Sequence, residues 1–200
     1  MNDNAPVQRR AECARCLRAL SACACGFAGP VASALELLIL QHPMEVRNAK
    51  GTARLLHLSL PNSSLVVGES FDAGKLHALL YAGGRSPVLL YPPSSTDACE
   101  QVPPGQLVAG ATRLVVLDGT WRKSRKMLFC NPVLQALPRL SLADVPPSAY
   151  RIRKAHAPHQ LSTLEAAACA IAAIDAGADI APLIDGFDAF INRQAAFAGR

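Results

Sequence analysis

The strongest constraint on the fold is the stretch 113–127, Arg-Leu-Val-Val-Leu-Asp-Gly-Thr-Trp-Arg-Lys-Ser-Arg-Lys-Met. It opens with a short run of β-branched and leucine residues, which predicts a buried strand. Asp118-Gly119 breaks the run, and Thr120 stands where it can cap a helix. That helix carries Arg122, Lys123, Arg125 and Lys126 in its first two turns. Positive charge there opposes the helix macrodipole, by about 0.3–1 kcal/mol per cation. Taken singly, Asp-Gly is a turn and the cations are a solvated face. Together they put a carboxylate at the carboxyl end of a buried strand, where open α/β sheets hold ligands. Local rules broken in this way mark a functional site, and an anionic partner would supply the compensation.

Two hundred residues suit one domain with a small appendage and can bury a proper core. Half of them are apolar and 18% are charged, which excludes a disordered chain. The net charge of +5 is uneven: residues 1–160 hold 18 Lys/Arg against 10 Asp/Glu, and residues 161–200 hold 2 against 5. A basic face with an acidic tail fits a polyanion partner. The N-terminus lacks a signal-peptide core, and the apolar region 164–184 is interrupted by Asp175 and Asp179. The expectation is a cytoplasmic protein with no membrane contact. Seven cysteines, an odd number, argue against a disulfide framework in a reducing compartment.

The first thirty residues read as a separate unit, followed by a main domain over 31–200. Cys13-x2-Cys16-x6-Cys23-x-Cys25 places four thiols within thirteen residues. Four thiolates so spaced can surround one tetrahedral zinc, with no open position for a catalytic water. The alternative is a set of free thiols or an oxidisable pair. Short strands are expected over 35–41, 64–68, 87–91 and 114–117. Helices are expected after the basic loop 47–54, over 75–81, from Thr120 to about 137, from Ser162 onward, and over 183–197. Alternating strands and helices imply an α/β fold, a mostly parallel sheet with helices on both faces. Residues 150–155, with Arg151, Arg153 and Lys154, form an exposed strand or strap. Ser162 and Glu165 spell a capping box, and a capped helix start also suits an anionic group. Dinucleotide, P-loop, Gly-x-Ser-x-Gly and His-Glu-x-x-His motifs do not occur.

Four stretches carry a resemblance. They are the Cys cluster, His42-Pro43-Met44-Glu45 with the basic run after it, Asp118-Gly119-Thr120-Trp121, and 150–166 with Leu-Ser-Thr-x-Glu-Ala. In this order they resemble the DTW-domain family, the tRNA-uridine aminocarboxypropyltransferases. The resemblance implies a SPOUT-like α/β fold with a C-terminal trefoil knot that binds S-adenosylmethionine. It implies transfer of the donor's 3-amino-3-carboxypropyl group to N3 of a tRNA uridine, releasing methylthioadenosine. Asp118 is then the candidate base. Leu117, Gly119, Thr120, Trp121, Pro92, Ser162, Thr163 and Glu165 are candidates for the donor. Trp121 stacks on adenine, stacks on the extruded uracil, or is a core aromatic. Arg47, Lys50, Arg54, Arg122, Lys123, Arg125, Lys126, Arg151, Arg153 and Lys154 are candidates for tRNA phosphates. The alternatives are a methyltransferase of the same knotted class and a non-catalytic zinc-bearing RNA-binding module. Oligomeric state is not legible.

Overall fold

The computed structural model describes residues 11–92, 99–142, 148 and 161–198. At its centre lie β1 (Glu36–Gln41), β2 (Ser63–Val67), β3 (Ser86–Leu90), β4 (Thr112–Asp118) and β5 (Arg139–Leu140). They form one sheet in the order β2-β1-β4-β3-β5, and every pairing is parallel. Every residue of β4, the central strand, is buried. Side chains alternate across a strand, so Leu37, Ile39, Leu114 and Val116 enter one core while Leu38, Leu40, Val115 and Leu117 enter another. Helices α1 (Ala53–Ser59), α5 (Thr163–Ile174) and α6 (Ala181–Ala198) cover the first face. Helices α2 (Ala73–Leu80), α3 (Trp121–Cys130) and α4 (Pro132–Gln135) cover the second. On α6 the stripe Leu183, Phe187, Phe190 and Ile191 repeats at helical spacing and is buried throughout.

Two elements depart from expectation. The helix after Thr120 does not run unbroken to 137, because Pro132 has no N–H to continue the ladder. Asn131 turns that break into a cross-link. Its Nδ2 donates to the carbonyls of Met127 (2.6 Å) and Glu69 (2.9 Å), and its Oδ1 accepts the Phe71 N–H (2.9 Å). The second departure is β5, two residues long and headed by Arg139, which no apolar run announces. The Arg139 guanidinium packs over the Tyr91 ring, 5.4 Å from its centroid. The strap expected over 150–155 and the path on which a knot depends, 143–160 apart from Ser148, lie outside the described residues. No described helix is long and apolar enough to cross a membrane.

The N-terminal segment joins the first core through Cys16 and Ala24. It approaches α6 so closely that a Cβ built on Gly186 would lie 2.0 Å from the Phe27 carbonyl oxygen. Gly186→Ala should therefore cost about 1–3 kcal/mol of unfolding free energy, the usual range for overpacking. Gly110→Ala, where an added Cβ meets nothing within 4 Å, should cost far less. Urea denaturation of the two variants beside the parent checks this, and equal stabilities would refute the close docking.

Candidate active site and metal centre

β1 and β4 lie side by side, with Gln41 opposite Asp118 at their carboxyl ends. From there the chain diverges. β1 leads to α1 on one face of the sheet, and β4 leads to α3 on the other. Between diverging connections a parallel sheet opens a crevice, and Asp118 stands in it. The residue is 5% exposed. Its Oδ2 accepts from Gln41 Nε2 (2.9 Å), its Oδ1 accepts from the Thr163 hydroxyl (2.7 Å), and its carbonyl accepts the His42 N–H (2.9 Å). The first turn of α5 is thereby tied to the end of β4.

The cations of α3 divide into two kinds. Lys123 donates to Glu45 Oε1 (2.7 Å), and Lys126 to Glu69 Oε2 (2.8 Å). Burial pushes the Glu45 carboxyl up, but the Lys123 ammonium and the Asn48 amide outweigh it and hold it below the ordinary range. Hydrogen bonds from Lys126 and His42 hold Glu69 down, and Glu69 in turn raises Lys126. His42 Nδ1 accepts the Met44 N–H (3.1 Å), so Nε2 carries the proton and donates to Glu69 Oε1 (2.7 Å). Arg122 and Arg125 are exposed on the outer side of the same helix. The Thr120 hydroxyl accepts the Lys123 N–H at 3.4 Å, the expected cap.

Two cavities meet at this point. The larger, about 260 Å³, lies among the ends of β3, β4 and β5 and the start of α5. Leu90, Tyr91, Pro92, Leu117, Trp121 and Leu140 give it apolar and aromatic walls, and Ser124, Ser141, Ser162 and Thr163 supply hydroxyls. The Tyr91 and Trp121 rings meet edge-on with centroids 5.9 Å apart. The smaller, about 120 Å³, is polar: Glu45, Asn48, Lys50, Thr52, Asp118 and Thr120 line it. Gly119 and Thr163 line both.

At the N-terminus four sulfurs converge. The Sγ pairs Cys13–Cys25 and Cys16–Cys23 are each 3.7 Å apart, and all four lie within 4.8 Å of one another. Thiolates held at about 2.3 Å around a tetrahedral zinc stand roughly 3.8 Å apart, so the donor set fits such an ion. Disulfide sulfurs would be bonded at about 2.05 Å, and these are not. Backbone N–H groups of Cys16 and Arg15 lower the Cys13 thiol to about 6, whereas burial pushes Cys25 up to about 12. Leu17, at φ 55°, turns the chain after the second cysteine. That turn presents Arg18, which donates to the carbonyls of Ala49 (2.6 Å) and Gly51 (2.7 Å) and packs over Phe190.

The family profile described as DTW domain matches residues 10–195. The chain belongs to the DTW-domain family. A protein of Drosophila melanogaster named tRNA-uridine aminocarboxypropyltransferase 2 is 35% identical over 176 residues, covering 85% of this chain and 69% of its own. Proteins of the same name from Macaca fascicularis and Mus musculus are 30% and 27% identical, over 85% and 84% of this chain. The chain spans 58% of the length of each of those two. No solved structure matches.

In this DTW domain the family stretch Asp118-Gly119-Thr120-Trp121 is the hinge between the two cavities. Pro92, Leu117, Trp121 and Ser162 line the larger one, Thr120 the smaller, and Gly119 and Thr163 both. Glu165 lines neither. Its Oε2 accepts the Ser162 N–H (2.7 Å) to close the capping box, and both its oxygens receive the Ser148 hydroxyl at 2.9 Å. Of the ten cations expected to meet phosphates, Lys123 and Lys126 are engaged by carboxylates. Arg47 pairs with Glu12 at 3.6 Å, Arg54 is half-buried, and Lys50 lines the smaller cavity. Arg151, Arg153 and Lys154 lie outside the described residues. Gln41, Tyr91, Asn48 and Thr52 belong to the site and were not foreseen. The register of β1 against β4 places Gln41, and nothing local in the sequence reveals it.

Arg18 links the Cys-cluster segment to the loop that walls the smaller cavity. Chelation should therefore raise hydrogen exchange across 47–52 as well as across 11–28. Arg18→Gln should keep one metal ion per chain and loosen 47–52 alone. Exchange by mass spectrometry, with metal analysis of both proteins, checks this. Loosening confined to 11–28 after chelation would disprove the link.

Proposed function

We propose that this protein modifies tRNA by transferring the 3-amino-3-carboxypropyl group of S-adenosylmethionine to N3 of a uridine. In that transfer N3 bonds to the donor's γ-carbon, the S–C bond breaks with its electron pair going to sulfur, and methylthioadenosine leaves. The N3 proton is lost before or during attack. The sulfonium activates all three of its carbons, so orientation decides which one the nucleophile meets. One observation carries the reading: an acidic residue of the family's own motif stands at the meeting of an aromatic-walled cavity and a polar one. The names of the relatives supply the reaction.

In this reading the larger cavity holds the adenosine and thioether of the donor. The trefoil-knotted, SPOUT-like course of the C-terminal region goes with the reading. Support for it comes from the cavity's position, between three strand ends and the start of α5. Trp121, 46% exposed at the mouth, stacks on a purine or on the extruded pyrimidine. The exposed Arg122 and Arg125, with Arg151, Arg153 and Lys154, hold phosphates, which position the RNA without specifying its sequence. Asp118 touches the reactants. The four cysteines hold a structural zinc, and the protein works in the cytoplasm, where such thiolates stay reduced.

Incubation of tRNA with enzyme and donor labelled separately in the methyl and in the aminocarboxypropyl carbons tests the reaction. Nucleoside mass spectrometry should find only the second label, on uridine. Methyl label in the product would make the protein a methyltransferase of the same class, and no label would leave an RNA-binding module. Asp118→Asn should stay folded and lose turnover by about 10²–10⁴-fold. Charge reversal at Arg122 and Arg125 should weaken tRNA binding, flatten its salt dependence and leave donor affinity unchanged.

A further inference from the structure

Helix α3 turns one well-defined face to solvent. Ser124 and Met127 are buried, whereas Trp121, Arg122, Arg125, Lys126 and Phe129 are exposed. At about 100° per residue, these five fall within an arc of about 140° around the helix. Phe129 is 81% exposed, more than Trp121 at 46%. One exposed apolar side chain is ordinary on a protein surface. This one stands among cations, between Arg125 and Lys126 around the helix and two turns beyond Arg122. The backbone that displays the ring is fixed. Gln135 Nε2 donates to the Phe129 carbonyl (3.2 Å), and Asn131 Nδ2 to the Met127 carbonyl (2.6 Å). The helix carries four cations and no carboxylate.

Such a face calls for a partner that brings negative charge and flat apolar surfaces together. A second copy of the chain would set cation against cation. An RNA strand brings a phosphate with every nucleotide and a π-face with every base. Resting on the tRNA reading above, we propose that the outer face of α3 is a track for the RNA strand beside the target, with Phe129 as the stacking platform for a second base. Trp121 lines the larger cavity, and Phe129 lies eight residues on, about 12 Å along the helix axis. The two rings therefore serve different nucleotides of one strand. Arg122 and Arg125, between them in sequence, meet the phosphates that join those nucleotides. Lys126 flanks the track while it pairs with Glu69. Phosphate contacts place the strand without reading it, whereas Phe129 needs an open base face. A paired and stacked nucleotide offers none, so the substrate is a uridine in a single-stranded loop with an unstacked neighbour.

Fluorescence anisotropy with unfractionated tRNA over a series of salt concentrations tests this. Phe129→Ala and Phe129→Leu should each weaken binding by about fivefold to a hundredfold, the loss of one base–aromatic stack. The salt dependence should keep its slope, because no phosphate contact is lost. Phe129→Tyr, which keeps a ring, should bind within about twofold of the parent. Urea denaturation should match the parent in all three, since the ring is exposed. Parent-like tRNA binding by Phe129→Ala overturns the proposal. So does equal binding by Phe129→Leu and Phe129→Tyr, which would make the contact merely apolar. A parent dimer that Phe129→Ala dissociates would make this face a contact between copies and overturn it as well. Failure of the parent to bind tRNA removes the tRNA reading itself, and this inference with it. Binding as expected in a parent that transfers no group to tRNA keeps the track and removes the transferase reading.

Discussion

The parallel pairing of β1 with β4 is the constraint on which the rest depends. Each strand is almost wholly buried, so each must be covered on both faces, and a parallel connection reaches its next strand only by crossing one face. Because β1 crosses on one side and β4 on the other, their carboxyl ends cannot be closed over by the same loop. The crevice is thus a product of topology before any functional side chain is placed in it. Register then selects the side chains: Gln41 opposite Asp118, with the amide bonded to the carboxylate at 2.9 Å. A slip of one residue would put Leu40 opposite Asp118 and send each side chain of β1 to the other face.

The cations of α3 look unfavourable in sequence and are largely reconciled in structure. Lys123 and Lys126, three apart, lie near the carboxylates of Glu45 and Glu69 from the loops after β1 and β2. These pairs offset the macrodipole penalty locally. They also tie α3 across the crevice, so the helix that begins with the family motif is held by charge from the neighbouring strand ends. Arg122 and Arg125 are exposed on the solvent face of the helix, Arg122 one turn before Lys126. An apparent excess of four thus divides into two structural cations and two that face outward.

Legibility followed the range of the interactions involved. The strands near 35–41, 64–68, 87–91 and 114–117 were readable because each is an apolar run bounded by turn residues, and the capping box at Ser162 because its partners are three residues apart. The Cys cluster was readable for the same reason. β5 was not, since a two-residue strand headed by a buried arginine has no pattern of its own and exists through its pairing with β3. The break at Pro132 was visible in the sequence, but the expected helix ran past it to about 137. Asp118 was legible as the end of a buried strand. Its partners Gln41 and Thr163, 77 and 45 residues away, were not, because only the completed sheet brings them together.

The same reasoning changes the standing of the N-terminal segment. Read from sequence, four cysteines with no vacant ligand position make a structural site remote from the chemistry. In the structure the turn after Cys16 aims Arg18 at the Ala49 and Gly51 carbonyls, and Gln194 of α6 donates to Ala49 as well. Residue 51 leads directly to Thr52, whose hydroxyl accepts the Leu164 N–H beside Thr163, and Thr163 donates to Asp118. Each of these links is a single hydrogen bond worth only about 0.5–1.5 kcal/mol net, too little to hold a loop alone. They share one anchor, however, because the Cys-cluster segment is itself clamped to α6 by Arg193, which bonds the Cys23 carbonyl and packs on Phe27. The Cys cluster, more than ninety residues away in sequence, is therefore only a few hydrogen bonds from Asp118. A metal held by these four sulfurs would bear on the shape of the polar cavity as well as on the stability of the fold.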